Sequence, residues 1–202
     1  NPAHARRDPA HKAELIGDLL ELVWDWAEAA DPDQPLTVGV YLFPHRHPER
    51  ASRVARTAIE RSDVISFHSY AAEPVMVAAI DELSRHGRPL VCTEWMGRPT
   101  SPVALARVLR DRGVGAYTWG LVDGRTQTRF PWTSWVRRSG PDTPWFHDLL
   151  HADGRPYRAE DGNLLGEAGS TVRLTVVRPG ERLRDVVLTR QEVQNHIVPA
   201  YR

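Results

Sequence analysis

Three short stretches of the chain end in side chains that can do chemistry. "DVISFHSY" closes on His68, Ser69 and Tyr70, "RPLVCTEW" on Thr93, Glu94 and Trp95, and "VGAYTWG" on Tyr117, Thr118 and Trp119. Each begins as an apolar run of the kind that fills a buried strand. A bare carboxylate at the end of such a run is costly unless that end opens onto a use for charge. A tyrosine hydroxyl beside it would hold it ionised and aimed, because a hydrogen bond to the charged form lowers its pKa. A tryptophan contributes a flat apolar face for stacking. The alternative for Glu94 is an ion pair with a nearby arginine, Arg88 or Arg98. His68 and Trp119, each taken alone, also fit a core position, and Tyr70 fits a loop cap.

The elements that must position these residues follow from periodicity. Residues 11–30 set Leu15, Leu19, Leu22, Val23 and Trp26 at three- and four-residue steps, which predicts an amphipathic helix buried along that stripe. "LTVGVYLF" from Leu36 reads as a strand, and "PERASRVARTAIERS" as a helix with Val54, Ala55 and Ile59 inward. A second strand from Asp63 leads into "EPVMVAAIDELSRHG", a helix closed by Gly87. The third strand holds Glu94. "SPVALARVLRDRG" is then a helix with Ser101 as N-cap, Pro102 in its first position and Gly113 as terminator, and a fourth strand starts at Val114. Repeated strand–helix steps of this kind predict βα units on a parallel sheet, where functional groups collect at the carboxyl ends of the strands. A long loop with Phe130, Trp132 and Trp135 fills 120–144, "TPWFHDLL" reads as a short helix, and Asp153-Gly154 as a turn. After about residue 162 the pattern becomes period two: Val172, Leu174 and Val176, a turn at Pro179-Gly180, then Val186 and Leu188. That is a β-hairpin.

Composition removes several classes. The chain has 202 residues, 41% hydrophobic and 26% charged, with a formal net charge of zero, so nothing points to nucleic acid or an acidic membrane surface. No apolar run reaches the roughly 18 residues of a membrane span. Cys92 is the one cysteine and reads as a small core residue. Lys12 is the only lysine, a bias read as codon usage. The chain opens on Asn1 without a signal-peptide pattern, and that start is expected to be a processing or truncation point. His45 and His47 in "PHRHP" form an H-x-H pair, read as a solvated loop in preference to a metal site, so no metal or cofactor is expected. Asp123 is expected to form a turn with Gly124, and Trp24, Trp26 and Trp145 to be core. No G-x-S-x-G, P-loop or dinucleotide fingerprint is present.

The order "DVISFHSY … GRPLVCTEWMGRP … GVGAYTWGLVDGRTQTRFPW … WFHDLLHADGRPY" resembles the C-terminal half of clan A glycoside hydrolases, of the family 5-like cellulase and mannanase type, over residues 11–158. The resemblance implies strands five to eight of a (β/α)8 barrel with their helices. It implies Glu94 as catalytic nucleophile, His68 and Tyr70 as contacts to substrate or nucleophile, Trp119 as the platform under the sugar, and Trp95 as a further substrate contact. A retaining glycosidase needs such a carboxylate to form a covalent glycosyl-enzyme, and a second carboxyl about 5 Å away to protonate the leaving oxygen. In the family that acid/base follows strand four in an Asn-Glu-Pro motif. Here no glutamate follows Asn1. The chain alone is therefore expected to be a poor catalyst.

The tail "GEAGSTVRLTVVRPGERLRDVVLTRQEV" resembles the last strands of a PDZ domain of tail-specific serine proteases, but it lacks the carboxylate-binding loop and helix, so no peptide-binding residue carries over. The expected organisation is a half-barrel over residues 1–160 and a hairpin appendage over 161–202. The expected function is retaining hydrolysis of β-linked glycosidic bonds. Two alternatives compete with it, a non-catalytic carbohydrate-binding remnant and a protease-associated interaction module. Carbohydrate is the expected ligand, and an exposed sheet edge would favour self-association.

Overall fold

A computed structural model describes residues 9, 11–41, 47–165, 171–176 and 184–189. Two compact units emerge, Asn1–Trp95 with Val108–Tyr117, and Met96–Arg107 with Thr118–Arg202.

The first unit is α/β. Helix α1 (Lys12–Ala29) and helix α2 (Arg53–Arg61) precede strand β1 (Ile65–Ser69). Helix α3 (Glu73–Ser84), strand β2 (Leu90–Trp95), the short helix α4 (Ala106–Asp111) and strand β3 (Gly115–Thr118) follow. The strands form one parallel sheet in the order β1-β2-β3. Its core is apolar: Ile65, Phe67, Leu90 and Cys92 from the strands, and Met76, Ile80 and Leu83 from α3. Those three α3 residues lie at i, i+4 and i+7, one face of a helix, and burying such a side chain contributes about 1.5–3 kcal/mol. Gly87 and Gly113 end their helices with φ of +66°, a conformation glycine adopts without strain.

The strand expected from Leu36 is reduced to one parallel bridge, Val40 to Phe67. Side chains take the place of a ladder. The Leu36 amide donates to Asp63 Oδ2 (2.8 Å) and the Val38 amide to Ser62 Oγ (3.2 Å), so those donors are spent before a strand can pair. Leu42 and Phe43 lie outside the described residues.

Helix α1 forms as expected but turns its other face inward. Gly17 and Trp24 are buried, while Leu15, Leu19, Leu22, Val23 and Trp26 are exposed, Trp26 by 64%. Charge pairing with α2 goes with this orientation. Arg53 reaches Asp18 and Glu21 (2.6 and 2.8 Å), and Arg61 reaches Asp25 and Glu28 (2.8 and 2.7 Å), while the Arg61 guanidinium lies over the Trp24 ring. An acidic ladder at three- and four-residue steps thus meets two arginines two turns apart. A Cβ at Gly17 would come within 3.2 Å of Arg53 Cδ, so glycine permits the close approach.

The second unit is largely irregular. Ser101 does not cap a helix. Its backbone pairs with Gly97 through two 2.9 Å hydrogen bonds, and a 3-10 turn at Val103–Leu105 opens the approach to α4. "TPWFHDLL" is not helical. It is irregular, bent at Phe146 and His147, and Leu150 bridges both Val122 and Pro156. Helix α5 (Ala159–Leu165) packs on the 3-10 turn at Val103–Leu105, so the division expected between residues 160 and 161 falls within a helix. Arg98 and Asp161 form a buried ion pair at 2.5 Å, and Arg98 also donates to the Asp148 carbonyl (3.0 Å). Trp145 stacks on Tyr157 with centroids 4.4 Å apart. Strands β4 (Thr171–Val176) and β5 (Arg184–Thr189) pair antiparallel, Val172 opposite Leu188 and Leu174 opposite Val186, as the period-two pattern requires. The turn at Pro179-Gly180 lies outside the described residues.

Candidate functional site

The sheet register decides which side chains meet. Ile65, Ser66 and Phe67 pair with Leu90, Val91 and Cys92, and the register then slips so that His68 pairs with Glu94 and Ser69 with Trp95. One extra residue on β2, Thr93, is passed over, and two polar side chains come abreast at the carboxyl ends of β1 and β2.

At that end the Tyr70 hydroxyl donates to Glu94 Oε2 at 3.1 Å, and His68 Nδ1 lies 3.5 Å from the same oxygen. The Glu94 side chain is 25% exposed, within reach of solvent and ligand. The flanking arginines are engaged elsewhere. Arg88 donates to the carbonyls of Glu60 and Ser62, and Arg98 pairs with Asp161. The salt-bridge alternative for Glu94 therefore lacks its arginine.

Burial, and next the charge of Glu94, push the Tyr70 phenol above its ordinary value, so it stays protonated and donates. Cys92, behind Glu94 in the strand, is fully buried, and burial pushes its thiol up to about 12, which leaves it inert as a nucleophile.

Two residues join the site that the sequence did not single out. Tyr41, just past Val40, is exposed with its ring 6.1 Å from the His68 imidazole. Gly39 lies beneath that imidazole, and a Cβ there would come within 3.1 Å of His68 Nε2. The signal was present in "VGVY", since this segment runs beside the strand that ends in His68.

Trp95 is 2% exposed and offers a ligand no face within this chain. Trp119 belongs to the second unit, where it is 52% exposed at the wall of a cleft. Asp123 accepts from Arg129 (3.3 Å). His47 contacts Glu49 (3.3 Å), while His45 lies outside the described residues. Among the described residues no three His, Cys, Asp or Glu side chains gather as metal ligands, and no helix is long and apolar enough to cross a membrane.

No family model matches this chain, and no curated protein matches it either.

Proposed function

We propose that the chain carries the nucleophile of a retaining β-glycosidase, with Glu94 as the attacking carboxylate. The observation that carries this is the convergence of Tyr70 and His68 on one oxygen, Oε2, of a partly exposed strand-end carboxylate that no arginine pairs with among the described residues. Among the described residues Oε1 has no hydrogen bond, so its lone pairs are available for attack on an anomeric carbon. Tyr70 holds the carboxylate ionised and fixes its direction. By resemblance, strands five to eight of a (β/α)8 barrel supply this arrangement.

Retention needs a second carboxyl about 5 Å from the first. The groups that gather on Glu94 are a phenol and an imidazole. The acid/base is assigned to residues other than these, and the chain by itself is expected to turn over ordinary glycosides slowly or not at all. That same observation favours a second reading, a fold that binds carbohydrate without cleaving it.

An activated substrate separates the two. A 2,4-dinitrophenyl β-glycoside departs as a stable phenolate and needs no proton. Glu94 Oε1 would bond to the anomeric carbon as the C1–O bond breaks, the electron pair leaving with dinitrophenolate. The expected result is a burst of dinitrophenolate and a glycosyl ester on Glu94 by mass spectrometry, both lost in Glu94→Gln. A burst that survives Glu94→Gln, or an adduct elsewhere, removes the nucleophile assignment. No burst with retained sugar binding leaves the binding reading.

A further inference from the structure

The second unit contains a cleft of about 510 Å³ that the chemistry of Glu94 does not use. Three indoles open onto it: Trp119 is 52% exposed, Trp132 44% and Trp135 77%. Large apolar rings gathered at one concavity and left in water mark a ligand site. The wall is held in place. Trp132 meets Phe146 edge-on with centroids 5.1 Å apart, and the 3-10 turn at Trp132–Trp135 is closed by Ser134 N–H to the Pro131 carbonyl (2.8 Å).

Neutral polar side chains share the lining, Gln127, Ser134 and Ser139 among them. Flat indole faces in one cleft with hydroxyls and an amide suit a pyranose, whose C–H face stacks while its hydroxyls hydrogen-bond. Charge narrows the class further. No Asp or Glu lines the cleft, and Arg138, an exposed lining residue, has no ion pair or hydrogen bond among the described residues. In the same unit Arg98, Arg129 and Arg155 each meet a carboxylate, so their charge is already answered. A guanidinium that lines the same cleft as these rings, with no Asp or Glu among the described lining residues, is complementary to a planar anion.

We infer that this cleft binds an acidic saccharide, with a uronate carboxylate on Arg138 and pyranose faces on Trp132 and Trp135. The inference stands on the second unit alone and does not depend on hydrolysis at Glu94.

The test titrates the full chain, with tryptophan fluorescence as readout. The probes are a β-linked oligosaccharide bearing a glucuronate unit and its neutral counterpart of equal length. The acidic sugar should bind about tenfold tighter at low salt, an advantage that shrinks as salt screens the pair. Arg138→Gln should remove the advantage and leave neutral-sugar affinity unchanged, while Trp135→Ala should weaken both. Both positions are exposed, so the variants should fold. Glu94→Gln should change none of this, which keeps failure of the hydrolysis proposal separate. Equal affinity for the two sugars overturns the anionic assignment. Binding of neither sugar, or binding unmoved by both cleft variants, overturns the site.

Discussion

The Tyr70 hydroxyl and Glu94 Oε2 lie 3.1 Å apart, joined across the ends of two adjacent parallel strands. Neither residue is near the other in sequence, and the bond exists because Glu94 is drawn abreast of His68, two residues before Tyr70. A neutral donor on a carboxylate is an arrangement that orients a nucleophile without neutralising it.

Removing that donor should cost rate. A hydrogen bond to a charged group contributes about 1.5–3 kcal/mol, so Tyr70→Phe should slow the dinitrophenolate burst roughly 10- to 100-fold. The burst rate at saturating substrate measures it. An unchanged rate would mean that Tyr70 plays no part in aiming Glu94.

The phenol also makes a pH prediction. Its pKa is raised on folding, by burial first and by Glu94 second. Its contribution to stability is therefore fully present below the ordinary value of 10.0 and is lost as pH rises through the higher folded value. Ultraviolet titration of the native chain should show the tyrosine absent from Tyr70→Phe ionising only above that ordinary range. A wild-type minus variant difference centred at the ordinary value would contradict the buried donor.

Asp148 gives a second titration with the same sign. It is fully buried, its Oδ2 has no hydrogen-bond partner among the described residues, and Thr128 donates to Oδ1 at 2.6 Å. Burial raises its pKa more than Thr128 lowers it. The stability it contributes is present below its ordinary 3.8 and fades as pH rises through the folded value. Asp148→Asn should therefore gain stability relative to the parent between pH 3.5 and pH 7. Denaturant midpoints at the two pH values decide this, and a constant difference refutes it.

Gly120 sits against the same carboxyl. A Cβ there would collide with Asp148 Oδ1 and come within 2.8 Å of His147 Cβ. Gly120→Ala should destabilise the second unit by about 1–3 kcal/mol, the usual cost of overpacking. A loss below about 0.5 kcal/mol in denaturant unfolding would show that the wall yields.

The Arg98–Asp161 pair should be the costliest to break. Both side chains are buried, 3% and 0% exposed, and truncating one strands the other's charge. Asp161→Ala should cost about 3–5 kcal/mol, and the paired change Arg98→Met with Asp161→Leu should recover much of it. Equal losses for single and double variants would place the cost in packing instead.

Local chemistry made part of this molecule legible from sequence. Gly87 and Gly113 announce helix ends because only a residue without Cβ takes positive φ cheaply, and both do so. Period-two alternation announced the two strands of the hairpin, because alternate residues of a strand share a face, and Val172 and Leu174 do stand opposite Leu188 and Val186. Glu94 drew notice because a carboxylate ending an apolar strand needs a reason.

Tertiary structure decided the rest, because the deciding contacts join distant residues. The apolar stripe of α1 promised one buried face, but the arginines of α2 grip the acidic ladder, Gly17 lets the helices close and Trp24 turns in, a choice invisible within either helix alone. Arg98 chose Asp161, 63 positions away, over Glu94, four positions away. The slip at Thr93 that sets Glu94 beside His68 is a property of two strands together. Sequence alone determined that a carboxylate, an imidazole and a phenol stand at strand ends, since period and punctuation are local. Only the fold decided that they meet on one oxygen, since register is fixed by the packing of the whole sheet.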